Sequence, residues 1–171
     1  MTPDQATFLA QQYAHLMQGE FPATCKVLSA VKDDTRDFKP DAKSRTAWEL
    51  ATHLATADVW FLDSVINGKF VWDPDAAKQA EGQFSSVADV VAFYEKTFAE
   101  KLKAVQAMSA DDLSRTVDFF GMMQKPAVEF LGMANNHSVH HRGQLAAYLR
   151  GMGSKVPAIY GGSADEPMPG A

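Results

Sequence analysis

Apolar residues recur at intervals of three and four positions along four long stretches of the chain. This spacing places them on one face of an α-helix, and no stretch shows a convincing two-residue alternation of the kind that predicts a β-strand. The pattern therefore predicts four helices, at about residues 3–31, 46–67, 85–108 and 126–150.

Residues that start and stop helices support these limits. Thr46 and Glu49 fit a capping box before the second helix. The pair Asn67-Gly68 suits the left-handed turn that ends a helix. Pro126 is expected as the first residue of the fourth helix. The helix is expected to end at Arg150 and Gly151, because a cation followed by glycine is typical of a helix C-terminus.

Four helices of this length and no strand predict an all-α fold, a four-helix bundle. The connections 33–45 and 70–84 are each more than ten residues long, enough to cross the end of a bundle, and 109–125 is expected to contain a short helical turn. A length of 171 residues fits one domain over 1–171. Its C-terminal tail, from about residue 152, is expected to pack as an extended segment before a loose end.

Composition excludes several classes of partner. A net charge of −5, without a run of Lys or Arg, gives no surface that would neutralise phosphates, so we expect no nucleic-acid binding. No apolar stretch reaches the length of about 20 residues that spans a membrane, and the N-terminus lacks the features of a secretion signal. Cys25 is the single cysteine, so no internal disulfide can form. A cytoplasmic protein is expected.

A pair of histidines in the fourth predicted helix carries the first sign of chemistry. His137 and His141 are four residues apart, which on a helix places both rings on one side, within reach of one metal ion. They lie on the stripe that otherwise faces the core, together with Phe130, Ala134, Leu145 and Tyr148. Buried imidazoles need a partner. A metal ion would meet that need, and ordinary hydrogen bonds between core histidines are the alternative.

A third ligand would have to come from another helix. His53 is the only histidine of the second predicted helix, at the edge of its apolar stripe. A single histidine there is more often a core residue than a ligand, and its candidacy depends on the pair in the fourth helix. With one cysteine in the chain, any metal site must be built from His, Asp or Glu.

Other polar residues near these histidines have two interpretations each. Glu49 precedes the histidine of the second helix by four positions and is a candidate base or supporting carboxylate, or simply the acid of the capping box. Arg142 and Gln144 either orient a ligand or belong to the helix surface. His140 points about 100° away from its neighbour, and His15 has no companion at metal spacing, so neither is expected to bind the ion.

Two segments resemble a known family. The run His-Ser-Val-His-His-Arg-Gly-Gln at 137–144 and the run Thr-Ala-Trp-Glu-Leu-Ala-Thr-His at 46–53 are similar to the DinB-like (YfiT-like) superfamily of bacterial four-helix-bundle metalloproteins. The resemblance covers nearly the whole chain in helix order and length. It implies an up-down-down-up bundle, whose long crossover suits the connection 70–84, and a homodimer.

The resemblance also implies the site and the activity. Its metal ligands would be His53, His137 and His141. The better understood members of that superfamily are thiol-dependent transferases and isomerases, which act on small electrophiles with a low-molecular-weight thiol. The resemblance therefore implies an activity of this kind. No residue that would recognise a substrate can be matched.

The chemistry of three neutral imidazoles is consistent with these roles. Three neutral ligands leave a divalent ion with its full charge and at least one open coordination position. Imidazole ligands suggest Zn²⁺ or Ni²⁺. Such an ion would deprotonate a thiol or ionise a water molecule near neutral pH. The leading hypothesis is a metal-dependent small-molecule transferase that uses a thiol cosubstrate. The alternatives are a metal-dependent hydrolase, a non-catalytic metal-binding or stress-response protein, and a metal-free bundle whose histidines only pack.

Overall fold

The computed structural model describes residues 1–168 and 170, and the fold is predominantly helical. Two short strands form the remaining regular structure of this part of the chain. In chain order the elements are α1 (Pro3–Ser29), α2 (Ala47–Asn67), α3 (Pro74–Gly82), α4 (Val87–Gln106), α5 (Ala110–Ser114), β1 (Thr116–Phe119), β2 (Met123–Pro126) and α6 (Glu129–Gly151).

Capping residues set where three of the long helices begin. Thr2, Thr46 and Ser86 each accept a hydrogen bond from the backbone N–H three residues on, and the side chain at that third position bonds back to the cap. Each such capping box satisfies two N–H groups that would otherwise lack a partner. Gly68 ends α2 with φ of 68°, so the predicted start and stop of this helix are confirmed.

The prediction that the chain has no strand is wrong at 116–126. β1 and β2 pair antiparallel, with Thr116 opposite Pro126 and Phe119 opposite Met123. β1 alternates polar and apolar residues over only four positions, and β2 shows no such alternation, so the pair gives a weak signal in the sequence. Pro126, predicted to begin the fourth helix, instead ends β2, and α6 begins at Glu129.

The connection 70–84 contains α3, a helix that the sequence analysis did not predict. Asp73 caps it by accepting hydrogen bonds from the backbone N–H groups of Asp75 and Ala76. None of its nine residues is buried, which explains the missing apolar stripe. α5 confirms the short helical turn expected within 109–125.

The four long helices enclose the core. α1 and α2 each pack against both α4 and α6, while α3 packs against α2. The inner faces contribute mainly aliphatic side chains, joined by a stack of Phe21, Tyr94 and Phe98 between α1 and α4. Among the described residues, no helix has the length and apolar character needed to cross a membrane.

The predicted tail after residue 152 begins against the bundle. Pro157 is buried, and the Tyr160 hydroxyl donates to a carboxylate oxygen of Glu20 on α1, at 2.9 Å. Asp165 pairs with Arg150 at the end of α6, at 2.8 Å. Positions 169 and 171 of the predicted tail and domain lie outside the described residues.

Candidate metal centre

Three imidazoles from two helices meet at one point. His53 lies on α2, and His137 and His141 lie one helical turn apart on α6. One nitrogen from each ring lies within 4.8 Å of the others, and the ring centres are 4.3 to 5.3 Å apart. The structure therefore brings together all three predicted ligands, close enough for common coordination. Their role as ligands stays a prediction.

Each of these rings has an oxygen atom near its Nδ1. Glu81 Oε1 lies 3.1 Å from His53 Nδ1, and Gln144 Oε1 lies 2.8 Å from His141 Nδ1. For His137 the nearest such oxygen is Asp58 Oδ1, at 3.6 Å. An acceptor at Nδ1 fixes the proton there and leaves Nε2 with a free lone pair, as histidine ligands of metal sites require. This donor set fits a divalent transition-metal ion.

Asp58 is a buried carboxylate behind His137. It is 2% exposed, and the Tyr94 hydroxyl donates to its Oδ2 at 3.0 Å. Within the part of the chain that the structure describes, its Oδ1 and the Nδ1 of His137 are both buried without a hydrogen-bond partner, since 3.6 Å is beyond bonding distance. Burial raises the pKa of Asp58. A small inward movement of the ring would satisfy both atoms, and coordination at Nε2 would favour such a carboxylate–histidine pair.

The sequence analysis missed both carboxylates. Asp58 lies on the apolar stripe of α2, four residues after Leu54 and three before Phe61, so a polar residue at a core position was the available signal. Glu81 comes from α3, and nothing in the sequence indicates that this short exposed helix folds over the histidines.

Burial keeps two of the three rings neutral. Desolvation, followed by the nearby charge of Arg45, lowers the pKa of His53 to about 3. Desolvation and the neighbouring His137 lower the pKa of His141 to about 4. Both rings are therefore unprotonated at neutral pH, the state in which imidazole binds a metal. Burial also raises the pKa of Glu81.

The remaining candidates have other roles. Glu49 accepts hydrogen bonds from the backbone N–H and the hydroxyl of Thr46, at 2.7 and 3.1 Å, and the backbone contact lowers its pKa. It is the acid of the capping box. His15 and His140 are both exposed. Arg142 is neither on the surface nor at the site, because it is buried against α1, whereas Gln144 does contact a predicted ligand.

A chamber of about 390 Å³ opens beside His53 and His137, between α2 and α3. Its volume lies near the lower end of the range for small-molecule sites. Trp60 and Phe61 of α2 form one wall, and the small residues of α3 face them. Trp60 lines the space without filling it, and Phe119 and Phe120 pack against Phe70 instead. A small molecule can therefore reach the histidines.

The site is thus a three-histidine centre with an adjoining chamber, set in a bundle of helices. The model of the DinB family matches residues 4–169, so the chain belongs to the DinB family. The family resemblance stated from the sequence is confirmed.

Similar proteins come from Bacillus. The uncharacterized protein YjoA of Bacillus subtilis is 28% identical over 140 residues, which cover 80% of this chain and 86% of YjoA. The crystal structure of a DinB-like protein from Bacillus cereus is similar with a TM-score of 0.73 and 26% identity, covering 88% of this chain and 97% of that one.

A more distant structure shares the fold. The mycothiol-dependent maleylpyruvate isomerase has a TM-score of 0.56 and 16% identity. The match covers 93% of this chain and 66% of the longer isomerase.

Proposed function

We propose that this protein is a metal-dependent transferase that joins or rearranges a small electrophile with the help of a low-molecular-weight thiol. The observation that carries the proposal is the convergence of His53, His137 and His141 at one point, with His53 and His137 lining an accessible chamber. Membership of the DinB family and the shared fold with a thiol-dependent isomerase support it.

The three histidines would hold the ion through Nε2, with Glu81, Asp58 and Gln144 as acceptors near their Nδ1 atoms. When bound, a divalent ion with three neutral ligands would supply a concentrated positive charge and an open position, which lower the pKa of a thiol placed there. Zn²⁺ and Ni²⁺ both suit these ligands.

The chain itself supplies no suitable thiol. Cys25 lies on α1 and does not line the chamber, and burial together with the neighbouring Glu95 raises the pKa of its thiol to about 11. A group with this pKa is almost wholly protonated at neutral pH, and the thiolate is the reactive form. The nucleophile would therefore come from a small cosubstrate.

The chamber favours this proposal over a non-catalytic metal protein. A purely structural zinc site has four protein ligands and no open position, whereas this centre brings together three histidines beside a space for a ligand. For the hydrolase alternative, Glu49 is held at the start of α2 by Thr46 and is poorly suited to act as the base.

The experiment combines metal analysis with turnover. Purified protein should carry about one divalent ion per chain, and His53→Ala should lose it, whereas His15→Ala should keep it. The metal-loaded protein should conjugate members of a panel of small electrophiles only when a cellular thiol is added. Turnover without a thiol would favour the hydrolase, and a metal-loaded protein inactive across the panel would contradict the transferase.

We extend the proposal to the order of the helices, which would run up-down-down-up. In a parallel pair of helices, contacting residue numbers rise together. They do so between α2 and α4, where Tyr94 bonds Asp58 and Lys101 pairs with Asp63. Contacts of His53 with His141 and of Asp58 with His137 support an α6 antiparallel to α2. Contacts of Tyr13 with Gly132 and of Glu20 with Arg142 support an α6 parallel to α1.

The homodimer and the cytoplasmic location stay predictions, and light scattering would test the homodimer.

A further inference from the structure

Two of the hydrogen-bond donors that line the chamber, those of Thr56 and Trp60, are engaged within the protein. The Thr56 hydroxyl donates to the Thr52 carbonyl at 2.9 Å, and Trp60 Nε1 donates to the Val71 carbonyl at 3.0 Å. Apart from the two histidines at its floor and the indole N–H of Trp72, the side-chain donors that line the chamber are committed to partners within the described residues.

The charged side chains that line the chamber are both acidic. Asp73 caps α3 at one side, and Glu81 contacts His53 at the other. Among the described residues, no lysine or arginine lines this space. A ligand carboxylate inside it would lose its hydration without gaining a cationic donor from the lining, and it would face two groups of its own sign.

The walls, by contrast, suit a flat apolar group. Trp60 and Trp72 meet edge to face with ring centres 6.0 Å apart, and Phe61 continues the same wall. Opposite them, α3 presents alanines at 77 and 80, whose small side chains keep the space open. Aromatic walls attract rings through both apolar burial and the geometry of their π-systems.

We propose that the chamber between α2 and α3 binds an uncharged, ring-bearing part of the substrate, so that the electrophile is an aromatic or similarly apolar compound and not a carboxylate-rich one. This inference rests on the proposed function, because the ligand of the chamber is a substrate only if the protein is the proposed transferase. The binding preference itself requires neither a metal ion nor turnover, because it comes from the walls of the chamber.

Ligand-observed fluorine NMR on metal-free protein tests the preference without any reaction. The probes are para-fluorotoluene and para-fluorobenzoate, which have the same ring and differ in a methyl group and a carboxylate. We expect para-fluorotoluene to bind at least about tenfold more tightly than para-fluorobenzoate, because the carboxylate finds no cationic donor in the lining and faces Asp73 and Glu81. Equal binding, or tighter binding of the benzoate, would overturn the inference even if thiol transfer were observed.

A pair of variants on α3 locates the binding. Ala80→Phe places a ring inside the chamber and should weaken para-fluorotoluene binding by at least about tenfold, since it fills the space. Gln79→Phe adds the same ring on the exposed side of α3 and should leave binding unchanged. Thermal unfolding of both variants would show that each is folded. Full binding to a folded Ala80→Phe protein would place the ligand elsewhere and refute the assignment.

If these tests succeed and no thiol transfer is found, the chamber still binds apolar rings and only the proposed reaction fails. If transfer occurs but the toluene does not bind, the reaction stands and the substrate class is wrong. The two proposals therefore fail separately.

Discussion

At the scale of single residues, the site depends on side chains that position the three histidines. Asp58 illustrates this, because its carboxylate is buried, held by Tyr94 and aimed at the back of the His137 ring. Burying a carboxylate is costly unless its oxygens are satisfied. The residue is therefore poorly explained by the stability of the metal-free fold, and well explained by support of a metal ligand.

Asp58→Asn should weaken zinc affinity by about tenfold or more, the usual effect of removing a carboxylate behind a histidine ligand. The amide is uncharged and a weaker acceptor for Nδ1–H, while its size keeps the packing intact. Competition with a chromophoric zinc chelator measures the change. Asp63→Asn is the matched control, because Asp63 pairs only with Lys101 near the surface of the same helix. Unchanged affinity in Asp58→Asn would show that the carboxylate does not support the ligand.

At the scale of elements, Arg142 joins three parts of the fold. Its guanidinium, on α6, pairs with Glu20 of α1, donates to the Thr24 hydroxyl at 3.3 Å and bonds the Tyr160 hydroxyl of the tail. The residue is 1% exposed. It follows His141 directly, so the same turn of α6 that presents one ring to the centre is fixed to α1 on its other side.

Replacing this arginine should therefore destabilise the bundle. Arg142→Met should lower the free energy of unfolding by about 3 kcal/mol, because it leaves the partners of a buried ion pair unsatisfied. Arg150→Met is the control: Arg150 pairs with Asp165 at an exposed position, and its loss should cost less than about 1 kcal/mol. Urea unfolding of the metal-free variants measures both. A similarly small decrease in the free energy of unfolding for both variants would indicate that Arg142 does not hold the helices together.

At the scale of the whole molecule, the buried histidines link stability to pH. The pKa values of His53 and His141 fall from 6.5 to about 3 and about 4 on folding. Between pH 6.5 and about 4 the unfolded chain takes up protons on these rings and the folded protein does not, so the free energy of unfolding falls as the pH falls. As the pH rises above 6.5 these rings become neutral in the unfolded chain as well, so this dependence fades.

Urea unfolding of the metal-free protein at several pH values between about 7 and 5 would measure this dependence, since the reference pKa of histidine lies in that interval. The double variant His53→Gln, His141→Gln should show a shallower dependence. His15→Gln removes an exposed histidine and should keep the full slope. An unchanged slope in the double variant would assign the pH dependence to other groups.

The sequence by itself determined most of the helical scaffold. Apolar periodicity and the capping residues Thr46 and Gly68 depend only on neighbours within a turn or two, so the limits of α2 follow from local chemistry. The four-residue spacing of His137 and His141 likewise guarantees that both rings lie on one side of α6. Family membership also follows from sequence alone, because the DinB family model matches residues 4–169.

Only the tertiary structure decided what surrounds those rings. Glu81 reaches His53 because α3, which has no apolar stripe of its own, folds over α2, and Asp58 meets His137 because α2 and α6 pack face to face. β1 and β2 are held by pairing with each other and by burial of Val117 and Phe119, while β2 shows no alternation that would have predicted the pair. Contacts between distant segments depend on how whole helices pack, and local sequence patterns carry no record of that packing.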